Sequence, residues 1–339
     1  MPLSPTTRDI VIIGGSAGAL APLKCIASLL PRDLPAAVFV VLHVSADFRS
    51  YIPQILNSAG PLEARHAEDG ELVQRGTIYV AKPDFHLLLE DGHIRESRGP
   101  RENRHRPAID PLFRTAARLY GRRVIGVILS GNLDDGAAGL MTVKMRGGLA
   151  IVQEPNEALS PEMPTNAIRY AQPEYILPVG EIAKMIAKSV RSEPSEGEAG
   201  PMEDKEGRKS SASEPDVADL RAAVEEEKSG EPSEFACPEC HGVLWEERNG
   251  ELVRYRCRVG HAYTESALSG EMSQATEAAL WASLRALAEQ SALLKRMANR
   301  SGEKLGARYR DQAAGIDEHC DTIKKILLDD ERSEAAASG

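Results

Sequence analysis

Aromatic residues make up only 4% of this 339-residue sequence, too few for the stacking platforms of a single-strand nucleic-acid binder. No apolar run approaches the ~20 residues of a membrane-spanning helix, so no membrane insertion is expected. The start, Met1-Pro2-Leu3-Ser4-Pro5, lacks the basic and apolar regions of a secretory signal, and a cytoplasmic protein is expected. Cysteine is scarce and uneven. Five are too few and too scattered for a disulfide framework, and three of them cluster with a histidine after residue 236, which points to metal. A spread-out charge is also missing. The net charge is -10, yet residues 192–234 alone hold 14 acidic against 5 basic residues.

Hydrophobic residues reach 42%, enough for a sizeable core. From residue 9 to about 190, short apolar runs alternate with helical periodicity. Strand-like runs are 9–13, Ala37–His43, Thr77–Ala81, Leu87–Glu90, Val124–Leu129, Ala150–Gln153 and Tyr175–Leu177. Helical stretches are expected near 19–30, 51–58, 111–120, 137–146, 164–170 and 179–191. This alternation predicts an α/β fold, a doubly wound and mostly parallel sheet with helices on both faces. The pair Tyr79/Val80 and Leu87–Glu90, followed by Asp91-Gly92, is a candidate antiparallel excursion. The catalytic-type domain is expected to span 1–191. Residues 192–234 read as a disordered acidic linker with too few large apolar groups to offset ordering entropy. A small module is expected at 235–268, a helical hairpin at 269–330 and a disordered tail at 331–339. The hairpin is read from Leu280, Leu284, Leu287, Leu294 and Ala298, then Leu305, Tyr309, Ile316, Cys320, Ile323 and Leu327. Cys25, in an apolar helix, is expected in the core.

The chain's chemistry begins at Asp9-Ile10-Val11-Ile12-Ile13-Gly14-Gly15-Ser16-Ala17-Gly18. A buried strand runs into a glycine turn that holds one serine, at the carboxyl edge where open α/β sheets carry their sites. Two readings stand on these residues alone: Ser16 as nucleophile, or the glycines as a phosphate cradle. The dinucleotide pattern Gly-x-Gly-x-x-Gly and the Lys-[Ser/Thr] of a P-loop are both missing. A serine nucleophile needs a base, and His43 ends the second strand. A third group to orient the base is available after another strand, in Leu129-Ser130-Gly131-Asn132-Leu133-Asp134-Asp135-Gly136, as either Asp134 or Asp135. A helix-capping aspartate is the simpler alternative there, and both roles hold together if Asp134 does the capping. Arg106 and Asp110 either line the cleft or form a loop ion pair, and His86 reads as structural.

In register, these stretches resemble the catalytic domain of the CheB-type chemotaxis protein-glutamate methylesterases. The matching residues are Ile13-Gly14-Gly15-Ser16-Ala17-Gly18, His43, Thr77–Ala81 with His86-Leu87-Leu88-Leu89, Arg106-Pro107-Ala108-Ile109-Asp110, Leu129-Ser130-Gly131 through Asp135-Gly136-Ala137, and Gln153-Glu154 to Met163-Pro164. The resemblance implies Ser16 as nucleophile, His43 as base and Asp135 as the orienting carboxylate. It implies hydrolysis of glutamate γ-methyl esters on methylated chemoreceptor-type proteins, with glutamine deamidation as a second activity and no cofactor for catalysis. The oxyanion is assigned to the backbone N–H groups of Ala17 and Asn132. The family has Thr where Ala17 stands, and Gly-Met-Gly where Gly131-Asn132-Leu133 stands. With eight residues before the first strand, a preceding receiver domain is not expected. A degenerate scaffold that binds signalling partners without catalysis is the alternative function.

Cys237-x2-Cys240-x16-Cys257-x3-His261 is metal-ligand spacing, and three thiolates with one imidazole suit a structural Zn²⁺ in a zinc-ribbon-like module. Arg248, Arg254, Arg256 and Arg258 are offset by Glu239, Glu246, Glu247 and Glu251, so a protein partner for the module and hairpin is expected rather than nucleic acid.

Overall fold

The computed structural model describes residues 8–46, 48–191 and 230–337. Most of the expected linker, residues 192–229, lies outside the described residues, as do 338 and 339. The rest forms two compact units that divide between Leu268 and Ser269.

The first unit is built on seven strands: β1 (Ile10–Gly15), β2 (Ala37–Leu42), β3 (Glu63–His66), β4 (Thr77–Val80), β7 (Val124–Ile128), β8 (Leu149–Gln153) and β9 (Tyr175–Leu177). They pair in the order β3-β4-β2-β1-β7-β8-β9, and every pairing is parallel. Successive side chains of a strand face opposite ways. Val11 and Ile13 therefore enter one core, with α1 (Leu20–Leu29), α2 (Ile52–Ala59) and α6 (Val179–Ser189). Ile10 and Ile12 enter the other, with α3 (Ile109–Tyr120), α4 (Ala137–Met145) and α5 (Glu162–Ala171). Covered on both faces, β1 and β2 are apolar throughout apart from glycine. The chain winds away from β1 in both directions, so β1 is the switch point, and the loops after β1, β2 and β7 meet at one edge.

Two strands escape the sequence reading. β3 is an edge strand of sequence Glu-Ala-Arg-His with one fully buried side chain, and so carries no apolar run. β6 (His93–Ser97) pairs with β5 (His86–Glu90), which corrects the expected pairing of that run with Tyr79/Val80. Its two-residue loop, Asp91-Gly92, has φ of 39° and 82°, the left-handed geometry that closes a tight hairpin, while β4 sits in the main sheet between β2 and β3. Cys25 is exposed, because the buried face of α1 is Leu23, Ile26 and Ala27.

A second, antiparallel sheet holds β10 (Glu231–Ala236), β11 (Val243–Asn249), β12 (Leu252–Cys257) and β13 (Ala262–Thr264). The module thus begins before Phe235, inside the expected linker. Two helices follow, α7 (Glu265–Arg300) and α8 (Glu303–Ala337), and α8 continues past the expected start of a tail at 331. In the second unit the apolar seam runs through half-buried Leu280, Leu284, Leu287 and Leu294 to buried Ala298, and through buried Ala313, Cys320 and Leu327 on α8. Leu305 lies off this seam, 45% exposed, and Gly306 takes its place, since a Cβ there would fall 2.8 Å from the Ala298 carbonyl oxygen.

Candidate active site

β1 delivers Ser16 one residue past its end. The Ser16 N–H donates to the Ser130 carbonyl at 2.9 Å and so ties the turn after β1 to the turn after β7. That close approach needs Gly131, where a Cβ would lie 2.9 Å from Ser16 Cβ and 2.7 Å from the Met163 sulfur. His43 directly follows β2, and its N–H donates to the Gly15 carbonyl at 3.2 Å. Its ring bridges the two other groups: Nδ1 lies 3.1 Å from Ser16 Oγ and Nε2 lies 2.8 Å from Asp135 Oδ2. A carboxylate accepts only, so Nε2 carries the proton and the Nδ1 lone pair faces the serine hydroxyl. Both side chains are nearly sealed, His43 at 5% and Asp135 at 2% exposure.

Asp135 is the most heavily bonded of the three. Its Oδ2 also accepts from the Ile109 N–H at 2.6 Å, and its Oδ1 accepts from the Asp110 N–H at 3.3 Å and Asn103 Nδ2 at 2.9 Å. Those amides are the first of α3, so the helix N-terminus adds its partial positive charge. Burial opposes ionisation of Asp135, but the hydrogen bond from His43, with the Ile109 and Asn103 donors, outweighs it and holds the carboxyl below its ordinary value. Asp110 goes the other way. Burial raises it, the neighbouring Asp135 charge adds to that, and it is the member of the pair that takes a proton first.

His105 and Asn103, which carry no motif in the sequence, also join the site. His105 stacks on His43 with ring centroids 3.5 Å apart. Burial and then His43 lower its pKa to about 3, so it is neutral near pH 7. Asn103 donates from one amide nitrogen to both Asp110 and Asp135. Arg106 is an ion-pair residue, holding Asp84 at 2.6 Å and the Gly99 carbonyl at 2.7 Å, while Asp110 belongs to the site's buried network. The expected capping of α4 by Asp134 does not occur through its side chain, which instead accepts the Thr264 hydroxyl at 2.6 Å. Buried His86 bonds the Pro100 carbonyl and the Ala108 N–H, a structural role. Ala17 and Asn132 are both exposed in the loops around Ser16, and among the described residues neither N–H has a hydrogen-bond acceptor.

Cys237, Cys240, Cys257 and His261 come together with their ligand atoms all within 4.8 Å of one another. Cys240 Sγ lies 3.5 Å from Cys257 Sγ, and His261 Nδ1 lies 3.6 Å from Cys237 Sγ and 3.5 Å from Cys257 Sγ. Four donors around ~2.3 Å metal–sulfur bonds lie about 3.5–3.8 Å apart, and these three separations match that spacing, so the donor set suits a tetrahedral metal. His261 Nε2 lies 3.2 Å from Glu239 Oε2, the partner that fixes a ligating imidazole.

This module packs against the loop that precedes α3. The Asn103 N–H donates to the Ala262 carbonyl at 2.8 Å, and the Thr264 N–H donates to Asn103 Oδ1 at 3.1 Å. Glu102 receives both nitrogens of Arg114 at 2.7 and 2.9 Å, and Arg254 and Arg256 from the module lie 3.1 and 3.6 Å away. Burial disfavours the Glu102 charge, yet the three guanidinium groups hold it well below the usual carboxylate range.

Residues 11–186, just over half of the chain, match the CheB methylesterase family. A putative protein-glutamate methylesterase/protein-glutamine glutaminase of Leptospira interrogans is 38% identical over 181 residues, covering 53% of this chain and 94% of that protein. A protein-glutamate methylesterase/protein-glutamine glutaminase from Pyrococcus horikoshii is 33% identical over 191 residues, covering 55% of this chain but 52% of its own length. The Thermotoga maritima CheB methylesterase catalytic domain crystal structure superposes with a TM-score of 0.52 at 33% identity, covering 54% of this chain and 98% of that one. The parallel sheet with Ser16 at its switch point thus has its counterpart in a solved esterase domain, and the chain belongs to the CheB methylesterase family.

Proposed function

We propose that this protein hydrolyses glutamate γ-methyl esters on chemoreceptor-type proteins, with Ser16 as nucleophile, His43 as general base and Asp135 as the carboxylate that orients it. The observation that carries this is the continuous Ser16–His43–Asp135 hydrogen-bond chain at the edge where β1, β2 and β7 end. It favours catalysis over the degenerate-scaffold reading, which gives no reason for the His43 ring to join the Ser16 hydroxyl to a carboxylate that already caps α3. Ser16 Oγ attacks the ester carbonyl as His43 Nδ1 takes its proton, and the imidazolium that forms keeps its Nε2–H on Asp135. The oxyanion is received by the Ala17 and Asn132 N–H groups. The tetrahedral adduct collapses, the proton on Nδ1 passes to the methoxy oxygen, and methanol leaves. Water, deprotonated by the same Nδ1, adds to the acyl-enzyme. Loss of Ser16 Oγ, reprotonated by His43, frees the glutamate. With ammonia as leaving group the same steps deamidate glutamine, the second activity in the relatives' names.

The Cys/His cluster holds a structural Zn²⁺, because three thiolates and a nitrogen complete its tetrahedron and leave no position for substrate. Its thiolates need a reducing compartment, in keeping with a cytoplasmic site of action. The hairpin docks a protein partner, and it carries the exposed apolar side chains Trp281, Leu293, Ile326 and Leu328. Methanol release from methylated receptor tests the activity. Wild type is expected to release it and Ser16→Ala to lose the release, and an unchanged rate in Ser16→Ala would overturn the assignment.

A further inference from the structure

We propose that the metal-binding module is a working part of the esterase site: it fixes Asn103, a positioning residue for Asp135, so that metal at the cluster sets the order of loop 101–106. This rests on reading Ser16, His43 and Asp135 as the triad.

Asn103 is 2% exposed and uses all of its side-chain groups. Its Nδ2 hydrogens go to Asp110 Oδ2 at 3.1 Å and Asp135 Oδ1 at 2.9 Å, and its Oδ1 accepts from the Thr264 N–H. An amide has two nearly isosteric orientations. Turned over, it would aim Oδ1 at two carboxylates. The Thr264 N–H, which comes from the module, selects the productive orientation. The backbone agrees: Asn103 has φ 47° and Arg104 φ 73°, left-handed geometry that asparagine tolerates best among non-glycine residues, and the Ala262 carbonyl holds the Asn103 N–H in that turn. One residue beyond Arg104, His105 meets His43.

The holding strand is short and bracketed by metal ligands. β13 is Ala262–Thr264, starting one residue after His261, and it pairs with β12, which ends at Cys257. A module of this size has too little core to hold its strands without a staple. Losing the metal therefore loosens the Ala262 carbonyl, the Thr264 N–H and the Thr264 hydroxyl together. These are the contacts to Asn103 and Asp134.

Amide hydrogen exchange on the full chain tests this. Metal content is measured, the metal is stripped with a chelator, and zinc is then added back. Exchange across 101–106 is expected to rise tenfold or more on stripping and to recover with zinc, while β1 and β7 stay unchanged. Unchanged exchange across 101–106 after verified metal loss would overturn the proposal, as would a chain that takes up no zinc. A second arm follows the rate of phosphonate labelling at Ser16 against pH. Asn103→Ala is expected to slow labelling about tenfold. Asn103→Asp, with a third carboxylate in the cluster, should also move the acid limb of the profile to a pH about one higher. Wild-type rates and limbs in both variants would contradict the positioning role. Absent labelling in wild type would overturn the triad instead, and the exchange arm would still decide the coupling.

Discussion

Asp110 and Asp135 cap each other's helices. Asp135 precedes α4, yet its carboxylate accepts the first amides of α3. Asp110, in the first turn of α3, accepts the Gly136 N–H at 3.1 Å and the Gly139 N–H at 2.7 Å at the start of α4. The exchange locks the loop that bears the orienting carboxylate to the helix beside it. A Cβ on Gly139 would lie 3.0 Å from Asp110 Oδ1 and 2.5 Å from Phe113 Cβ, so the approach of the two helices depends on that glycine.

Removing one cap should therefore cost more than an ordinary surface cap. Asp110→Ala strips the acceptor from two buried amides, an expected loss of about 2–4 kcal/mol in denaturant unfolding. A loss below about 0.5 kcal/mol would mean that the two helices do not depend on the exchange.

Asp134 gives a pH signature. Burial raises its pKa from 3.8 to about 6, and the Thr264 hydroxyl opposes that rise. The folded chain therefore prefers the protonated acid. Its penalty sets in as pH rises above 3.8 and is complete above about 6. Asp134→Asn keeps an acceptor for Thr264 and removes the charge. It should be more stable than wild type at pH 8, by up to about 3 kcal/mol, and equal to it below pH 4. Paired unfolding curves at the two pH values read this out.

Glu102 carries the opposite sign. Its depressed pKa contributes stability that is present above the ordinary glutamate value near 4.5 and is lost as pH falls toward the folded value. Glu102→Gln leaves Arg114, Arg254 and Arg256 without their shared partner and should cost about 3–5 kcal/mol at neutral pH. The variant should also show faster hydrogen exchange in β12 and β13.

His105 is neutral at working pH and lies face to face with the ring that becomes cationic during acylation. His105→Ala should slow the acylation step roughly 3–10-fold, the range of ~0.5–1.5 kcal/mol for a ring contact, and His105→Phe should restore most of it. Equal rates in all three proteins would deny the stack a part in catalysis.

Much of this site is legible in the sequence because its parts end buried strands. The runs before Ser16 and His43 are apolar without alternation, and the run before Asp135 closes with the Ser130-Gly131 turn, so strand ends and glycine turns mark the edge. The loop before α3 is not legible. Glu102-Asn103-Arg104-His105 is polar and without period, and its order comes from a partner 161 residues further along the chain, the Thr264 N–H. Only the glutamate's burial against three arginines and the asparagine's left-handed turn mark it, and both need coordinates to be seen. The metal cluster is the reverse case, since ligand spacing is local in sequence even where its strands are short.

The most direct measurement is active-site labelling of the full chain with a serine-directed phosphonate, with the adduct located by peptide mass mapping. The account predicts one adduct, on Ser16, abolished in Ser16→Ala and slowed at least a thousandfold in His43→Ala. Labelling on another serine, or labelling of Ser16 that proceeds unchanged without His43, would contradict it.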